Sequence, residues 1–541
     1  MQLRAKKINR PLVAVAVLTL ATVTAGQPPT AVAGPRGALP VAHAPAADAD
    51  LGADLDRIFT DSRLNGATTA VQVRDGATGA VVYSRGADQR VIPASNEKLL
   101  TSAAALQVLG PDHRFHTRVS YTGSKTGRTV TGDLYLEGRG DPTLSAADLD
   151  RLAAAVAAAG ITRVNGALVG DDTFFDRVPL GLDWSWQDEP YAYSAPISAL
   201  SVASTADLDT GSVAVHSRAG TAVGRPAVLT MLPRNSVVPV VNRTTTGRAG
   251  SADTVTAVRP HGSSSIVVSG SSPLRGATGV DLVSVPAPTR VAVSAFREAL
   301  KRRGVTVVRG DTTGATPPGA KLVRDHSSMT LSRLLVPFLK LSNNGHAELL
   351  IKAMSRATVP ASPGNWATGL NAAAGALTGL GVDARVLRLG DGSGLSRRNW
   401  LTARQLANLL HGAQSRPWFA AWYAALPVAG DPARMVGGTL TGRMRGTPAA
   451  GNLRAKTGTL TGVNALSGYV KDGTGRRLIV SVVVNNALSN VNDVLDRTAV
   501  TLASAGAGTA AARRSVPMPA GPPPAVNADG QDVECSWVAA C

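Results

Sequence analysis

The sequence predicts an α+β protein in which strands from both ends of the chain form one antiparallel sheet flanked by helices. Three observations predict this fold. Val-rich stretches around Asp-Gly turns occur near both ends, at residues 68–86 and 465–486. Helical spacing of Ala and Leu prevails in much of the chain between them. Residues 141–319 instead carry short Val-rich strands separated by Gly, Ser, Thr and Pro, which predicts a large, mainly β insertion of one or two domains.

The order of elements is predicted from the spacing of apolar residues and from Gly and Pro residues that mark the ends of elements. A hairpin is expected at 117–137, and a strand at 454–460 leads into the hairpin of 465–486. Helices are expected at 51–64, 95–109, 145–159, 288–303, 329–341, 344–356, 402–413 and 490–503. The predicted organisation is a signal peptide (1–33), a linker (34–50), a first catalytic segment (51–140), the insertion (141–319), a second catalytic segment (320–505) and a Pro/Ala-rich tail (506–541).

The composition excludes several classes of protein. The chain has 541 residues, of which 44% are hydrophobic and 17% charged, so it is not a disordered chain. Its net charge is +18, but the arginines are scattered and only 4% of residues are aromatic, so no nucleic-acid partner is expected. The charge predicts a general attraction to anionic polymers or surfaces. No His or Cys cluster has the spacing of metal ligands, and neither a metal site nor a cofactor is expected.

The N-terminus has the pattern of an export signal. Four basic residues within 4–10 precede an apolar run at 12–23, and small residues permit cleavage after Ala25 or Ala33. The alternative is an uncleaved membrane anchor, for which the apolar run is short. We therefore expect a secreted, cell-wall-associated protein without a stable membrane span. In an oxidising compartment Cys535 and Cys541 could close a small loop at the C-terminus.

Ser95 and Lys98 form the first motif that could carry chemistry. They stand three residues apart at the predicted start of a helix, which puts both side chains on one face. Ser at a helix start is commonly just an N-cap. However, the chain has only ten lysines, and Lys98 is the only one that follows a Ser by three residues. A shielded lysine can act as the base that activates a serine nucleophile.

Two further motifs follow along the chain. Ser342-Asn343-Asn344 contains the only S-x-N of the sequence, although a Ser or Asn between two helices can equally be a cap or turn. Lys456-Thr457-Gly458-Thr459 opens a predicted strand and can equally be a surface strand followed by a turn. A second Lys-Thr-Gly at 125–127 precedes S-x-N and is interpreted as a polar hairpin tip.

The three motifs in the order S-x-x-K, S-x-N and K-T-G resemble those of serine DD-peptidases. The segment GDGSGLSRRN at 390–399 is similar to one branch of them, and so is the long separation of Ser95 and Ser342, which are 247 positions apart. That branch is the class C low-molecular-mass penicillin-binding proteins, D-alanyl-D-alanine carboxypeptidase/endopeptidases, here of an actinobacterial type. The resemblance covers roughly residues 50–505. It implies a serine penicillin-recognising transpeptidase-like domain with the insertion between the first two motifs.

The resemblance also implies roles for the motif residues. Ser95 would be the acylated nucleophile and Lys98 its general base. Ser342 would relay a proton to the leaving amine, and Asn344 would hydrogen-bond the substrate backbone. The backbone N–H groups of Ser95 and Thr459 would form the oxyanion hole.

The remaining site residues would bind the substrate. Lys456 would receive its terminal carboxylate, with Thr457, Gly458 and Thr459 of the same strand. Ser393 and Leu395 of the 390–399 segment are further candidate substrate-binding residues. Less directly, Arg397 of the same segment, with Asp188 and Tyr193, looks like the subsite for the diaminopimelate side chain of a stem peptide. The alternative for Asp188 and Arg397 is a structural ion pair.

The leading hypothesis is a secreted serine-type D-Ala-D-Ala carboxypeptidase, with endopeptidase activity as an extension. Its partners would be peptidoglycan stem peptides as substrates and β-lactam antibiotics as inhibitors. One alternative is a β-lactamase-like hydrolase, against which the insertion and the lack of a clear deacylating Glu argue. Glu97, inside the first motif, is expected to point away from Ser95. The other alternative is a non-catalytic cell-wall- or penicillin-binding module, against which the intact motifs argue.

Overall fold

The computed structural model describes residues 46–506 of the chain. The predicted signal peptide with its two cleavage positions, residues 34–45 of the predicted linker, and the tail with Cys535 and Cys541 lie outside the described residues. The first helix begins at Ala46, within the range predicted as linker, and gives way after Ile58 to a separate 3-10 turn at Ser62–Leu64.

The described chain alternates between helical and strand-rich stretches. Its helices are α1 (Ala46–Ile58), α2 (Glu97–Val108), α3 (Ala146–Ala158), α4 (Pro288–Arg302), α5 (Leu331–Lys340), α6 (Asn344–Thr358), α7 (Trp366–Thr378), α8 (Ala403–Ala413), α9 (Phe419–Ala425), α10 (Arg434–Gly437) and α11 (Asn492–Ser504). Its strands are β1 (Thr68–Asp75), β2 (Val81–Arg85), β3 (His116–Tyr121), β4 (Lys125–Thr126), β5 (Thr129–Val130), β6 (Leu134–Gly138), β7 (Arg163–Val164), β8 (Leu168–Asp171), β9 (Ser212–Arg218), β10 (Val228–Leu232), β11 (Val240–Gly247), β12 (Thr256–Val258), β13 (Ile266–Pro273), β14 (Gly279–Ser284), β15 (Thr306–Val307), β16 (Asp311–Thr313), β17 (Lys321–Ser327), β18 (Arg454–Leu460), β19 (Val463–Lys471) and β20 (Arg477–Asn485).

A five-stranded antiparallel sheet joins the two ends of the described chain. Its order is β18-β19-β20-β1-β2. Strand β1 pairs with β20 along its whole length, with Val73 opposite Val480. The expectation that hairpins from both ends join in one sheet is therefore confirmed, and so is the α+β class.

Both faces of this sheet are covered, because successive side chains of β20 enter two different cores. Ile479 and Val483 belong to the core that contains residues of α2, α5, α6, α7 and α8. Val480 and Val482 belong to the opposite core, which contains residues of α1 and α11. A strand buried on both sides needs a nearly continuous apolar sequence, which β20 has.

The predicted insertion is mainly β, as expected. Two three-stranded sheets, β10-β9-β14 and β11-β13-β12, lie entirely within residues 141–319. A five-stranded sheet, β16-β8-β6-β3-β17, combines strands of the insertion with β3, β6 and β17, so it extends beyond that range on both sides. Helices α3 and α4 contribute to its core, where Leu136, Leu152 and Phe296 are buried.

Helix α7 was not expected from the sequence. Its sequence contains Gly369 and Gly375, and glycine in a helix interior costs about 1 kcal/mol relative to alanine. A Cβ at residue 369 would lie only 2.1 Å from the Ile351 carbonyl oxygen of α6. Close packing of α6 on α7 therefore requires glycine at this position and outweighs local propensity.

The Lys-Thr-Gly at 125–127 is a hairpin tip, as its sequence predicts. Lys125 is exposed and starts the two-residue pairing of β4 with β5. This hairpin belongs to a different sheet from β18, which carries Lys456. The motif of 125–127 therefore has no part in the site described below. None of the helices within residues 46–506 is long and apolar enough to cross a membrane.

Candidate active site

Ser95 lies in a strained turn at the start of α2. A 3-10 turn, Ala94–Asn96, runs directly into the helix at Glu97. Ala94 has φ +48°, a backbone conformation that L-residues avoid. Gly394, at φ +87°, lies against the Ala94 carbonyl group, where a Cβ would come within 1.9 Å of its oxygen. The turn that presents Ser95 is therefore held by a close approach that only glycine permits.

Lys98 is fully buried and donates to three oxygen atoms. Its Nζ lies 2.8 Å from Ser95 Oγ, 2.7 Å from Asn344 Oδ1 and 2.7 Å from the Ser393 carbonyl oxygen. These partners come from α2, from α6 and from the 390–399 segment. A buried ammonium group needs such acceptors, and a neutral amine in the same place could accept the proton of Ser95.

The S-x-N residues lie between α5 and α6. Ser342 has φ +60°, and its buried Oγ has no hydrogen-bond partner among the described residues. Asn343 caps α6 by accepting from the His346 N–H, so a cap is present, as the alternative interpretation expects. Asn344 nevertheless enters the site, because its Nδ2 donates to the Tyr193 carbonyl oxygen at 2.9 Å while its Oδ1 accepts from Lys98.

The third motif lies on β18, the edge strand that faces the Ser95 turn. Lys456 is fully buried, and its Nζ donates to the Thr457 carbonyl oxygen at 2.9 Å. A Cβ at Gly458 would lie 3.1 Å from the Ser95 nitrogen, so glycine lets the strand approach Ser95 closely. Thr459 follows on the same strand. The three motifs, distant in sequence, therefore meet at one place.

The 390–399 segment is organised by the buried carboxylate of Asp391. Its oxygens accept from the Gly394 N–H at 2.8 Å and from the Ser396 N–H at 2.7 Å. They also accept from Asn399 Nδ2 at 2.7 Å and from Trp184 Nε1 at 2.9 Å. These bonds fix the backbone that offers the Ser393 carbonyl group to Lys98.

Two buried glutamates near Lys98 were not assigned a role from the sequence. Glu97 is almost wholly buried, and burial together with Asp391 and Glu348 raises its pKa well above the usual range. Burial, reinforced by Asp391, also raises the pKa of Glu348 to about 7. Glu348 follows Asn344 by one helical turn, and this spacing was the available signal in the sequence.

Of the residues predicted for the diaminopimelate subsite, Asp188 and Tyr193 are in direct contact. Tyr193 Oη donates to Asp188 Oδ1 at 2.7 Å, and both side chains are buried. Tyr193 and Leu395 pack in the apolar cluster that includes Ala94. Arg397 is half-buried and donates to the Thr461 carbonyl oxygen at 2.8 Å, in the turn after β18. These residues therefore border the nucleophile's turn.

Within residues 46–506, no group of three His, Cys, Asp or Glu side chains is arranged to hold a metal ion. The chemistry that the described residues themselves offer is acyl transfer. The site contains a serine hydroxyl, a buried amine, a second serine hydroxyl and a further lysine. Groups of these kinds can serve as the nucleophile, the base, the proton donor and the anion site of such a reaction.

Comparison with known proteins agrees with this geometry. A sequence model of the D-Ala-D-Ala carboxypeptidase 3 (S13) family matches residues 51–504. The chain is 46% identical over 496 residues to a D-alanyl-D-alanine carboxypeptidase of an Actinomadura species, covering 91% of this chain and 90% of the relative. It is 30% identical over 443 residues to carboxypeptidase DacB of Mycolicibacterium smegmatis, covering 81% and 80%.

The fold is also similar to a solved structure. Penicillin binding protein 4 (dacB) from Haemophilus influenzae superposes with a TM-score of 0.70 at 22% sequence identity. The match covers 83% of this chain and 98% of that protein. At this level of identity the similarity concerns the fold.

The contact between Gly394 and Ala94 yields a first prediction. Gly394→Ala forces an L-residue into a left-handed conformation and pushes a methyl group onto the Ala94 carbonyl oxygen. Because the turn carries Ser95, acylation by a penicillin should slow on the order of 100-fold. Gly375→Ala is the matched control, since its Cβ meets nothing within 4 Å in α7 and should leave the rate unchanged. Equal stopped-flow acylation rates for both variants would contradict the idea that the Gly394–Ala94 contact positions the Ser95 turn.

Proposed function

The chain belongs to the D-Ala-D-Ala carboxypeptidase 3 (S13) family and is a serine-type D-Ala-D-Ala carboxypeptidase; from this premise we propose that it hydrolyses peptidoglycan stem peptides through an acyl-enzyme on Ser95. The observation that carries the assignment of the nucleophile is the 2.8 Å hydrogen bond between buried Lys98 Nζ and Ser95 Oγ. It supplies a base within reach of the only serine in an S-x-x-K context.

The contacts of Lys98 support a specific orientation of the base. A neutral amine has two N–H bonds and one lone pair. The two N–H bonds would be taken by Asn344 Oδ1 and the Ser393 carbonyl oxygen, which cannot donate. The lone pair is then left facing Ser95 Oγ. Lys98 would accept the hydroxyl proton as Oγ attacks the carbonyl carbon of the penultimate D-Ala.

The other motif residues would complete the reaction. The developing oxyanion would be held by the N–H groups of Ser95 and Thr459, a role favoured by the close approach of β18 to the Ser95 nitrogen. As the C–N bond breaks, the leaving D-Ala amine would take a proton through Ser342, whose buried Oγ has no partner among the described residues. Water would then attack the ester, release the shortened peptide as a carboxylic acid and restore the Ser95 hydroxyl.

Three finer features belong to the same proposal. A penicillin would acylate Ser95 as its lactam C–N bond opens, because that bond mimics the scissile amide. Endopeptidase activity would follow where the leaving amine belongs to a cross-linked stem peptide, since the acyl group is the same. Export to the cell wall is supported by the basic and apolar N-terminal pattern of the sequence.

A fluorescent penicillin tests the proposed nucleophile. The protein should form a long-lived adduct whose mass increase maps to the peptide with Ser95, and Ser95→Ala should abolish it. The same enzyme should release D-Ala from a D-Ala-D-Ala peptide and open a cross-linked dimer. An adduct on another serine would refute the assignment, rapid turnover of the label would favour a β-lactamase, and no label would favour a binding module.

Lys456 offers a second test, with Lys125 as its matched control. If Lys456 binds the terminal carboxylate, Lys456→Gln should reduce kcat/KM for free-acid peptides about 10- to 100-fold more than for their C-terminal amides, because a charge-assisted hydrogen bond contributes about 1.5–3 kcal/mol. Lys125→Gln removes the exposed lysine of the other Lys-Thr-Gly and should change neither rate. An equal loss for acid and amide would contradict carboxylate binding by Lys456.

The diaminopimelate subsite is a further part of the proposal. The partly desolvated Asp188 and Arg397 would pair with the ammonium and carboxylate of that side chain. Asp188→Asn and Arg397→Gln should each lower kcat/KM about tenfold or more for peptides with a free diaminopimelate end. Acylation by a simple penicillin should stay nearly constant. The exposed pair Asp183 and Arg398 supplies control variants, Asp183→Asn and Arg398→Gln. If kcat/KM for the peptide and the rate of acylation by penicillin fall by the same factor, Asp188 and Arg397 have a structural role and do not bind the diaminopimelate side chain.

A further inference from the structure

Glu348 lies on α6, one turn beyond Asn344, and its carboxylate faces only hydrogen-bond donors in the contacts described. Oε1 accepts from the Ser393 N–H at 2.8 Å. Oε2 accepts from the Gly392 N–H at 3.0 Å and from Trp366 Nε1 at 2.7 Å. The side chain is fully buried. A buried carboxylate with three donors is a strong local constraint on the backbone that supplies them.

Two of these donors belong to the segment that contacts the catalytic base. The peptide groups before Gly392 and Ser393 are held by Glu348, and the peptide group after Ser393 is held through the Gly394 N–H by Asp391. The carbonyl oxygen of that last peptide group accepts from Lys98 Nζ. The position of this acceptor therefore depends on carboxylates on both sides of it.

We propose that Glu348 is a positioning residue for acylation: by holding Gly392 and Ser393 it keeps the Ser393 carbonyl oxygen on Lys98 Nζ. Without that acceptor, an N–H of neutral Lys98 would be free to rotate toward Ser95 Oγ and displace the lone pair from it. This inference rests on the proposed function, because it assumes that Lys98 is the base for Ser95. Glu348 itself touches neither substrate nor the reacting atoms.

Several ionisable groups lie around Lys98 and Glu348. Glu97 on α2 and His346 on α6 interact electrostatically with Lys98. Asp391 in the 390–399 segment and Lys352 on α6 interact with Glu348. Burial lowers the pKa of His346 to about 4, so His346 is uncharged at neutral pH. Burial raises the pKa of Glu97 well above its usual range. With a pKa of about 7, Glu348 is increasingly anionic above neutrality. A carboxylate near an amine favours the ammonium form of that amine.

The variant Glu348→Gln tests the proposal. Glutamine preserves the volume but replaces one acceptor oxygen by an NH₂ group, which cannot accept from the donors that face it. The second-order rate constant for acylation by a chromogenic β-lactam should fall about 10- to 100-fold on its alkaline plateau. The acidic limb of the pH profile should move to lower pH, because losing the carboxylate disfavours the protonated base.

A merely structural role would lower the melting temperature but leave the midpoint of the acidic limb in place. Trp366→Phe provides a second variant in case Glu348→Gln does not fold. It removes the indole donor to Glu348 while keeping an aromatic ring beneath Lys352 Nζ, which lies 3.8 Å from the Trp366 ring centroid. We expect a loss of about 3- to 10-fold and a shift in the same direction.

Trp418→Phe is the matched control, because Trp418 Nε1 donates at 2.9 Å to Gln107, away from the 390–399 segment. Its plateau and midpoint should equal those of the unmodified protein. The positioning role is refuted if Glu348→Gln has the same plateau rate constant and the same acidic midpoint as this control. If Glu348→Gln does not fold, the same comparison applies to Trp366→Phe. If the unmodified protein is itself not acylated at Ser95, the proposed function fails instead, so the two failures are distinguishable.

Discussion

A lysine buried beside a serine must have its N–H groups bound by fixed acceptors, and this constraint explains much of the site. Lys98 donates to Ser95 Oγ, Asn344 Oδ1 and the Ser393 carbonyl oxygen, which come from three segments far apart in sequence. An unmatched buried amine would cost several kcal/mol. The amine of Lys98 is satisfied in the interior only when α2, α6 and the 390–399 segment are packed correctly. The arrangement of the site and the packing of the core therefore depend on each other.

The close approach of these segments is achieved by backbone geometry that is locally unfavourable. Ala94 and Ser342 adopt positive φ, and Gly394 and Gly458 come so near the Ser95 turn that a Cβ would collide or crowd it. Non-glycine residues in such conformations cost on the order of 1–3 kcal/mol each and persist only where the surroundings enforce them. Here Ala94 packs in the small apolar cluster that includes Tyr193 and Leu395. Ser342 lies between α5 and α6, whose apolar residues share one core. This packing holds the turn that carries Ser95.

The sequence was informative wherever the signal was local. The pairing of terminal hairpins followed from Val-rich stretches, and Ser95 and Lys98 were found because their spacing places both on one helical face. Helix α7 was missed because its glycines disfavour a helix locally and are explained only by the distant Ile351 carbonyl group. Glu97 is expected from its helical position only to point away from Ser95, and its burial beside Asp391 depends on residues almost 300 positions away. Contacts between residues so far apart in sequence leave no periodic pattern in the sequence that would predict them.

Helix α6 contacts Lys98, the 390–399 segment and the inserted part of the chain. Asn344, Glu348 and Lys352 recur every four residues and therefore lie along one side of the helix. The first contacts Lys98 and the Tyr193 carbonyl oxygen, the second holds the 390–399 segment, and the third donates to Asp176 at 2.6 Å. Tyr193 and Asp176 both belong to the inserted part of the chain. Because the three side chains share one rigid axis, a displacement of the insertion that moved α6 would change two of the three acceptors of Lys98 together. A single helix thus connects the insertion to Lys98, the proposed base.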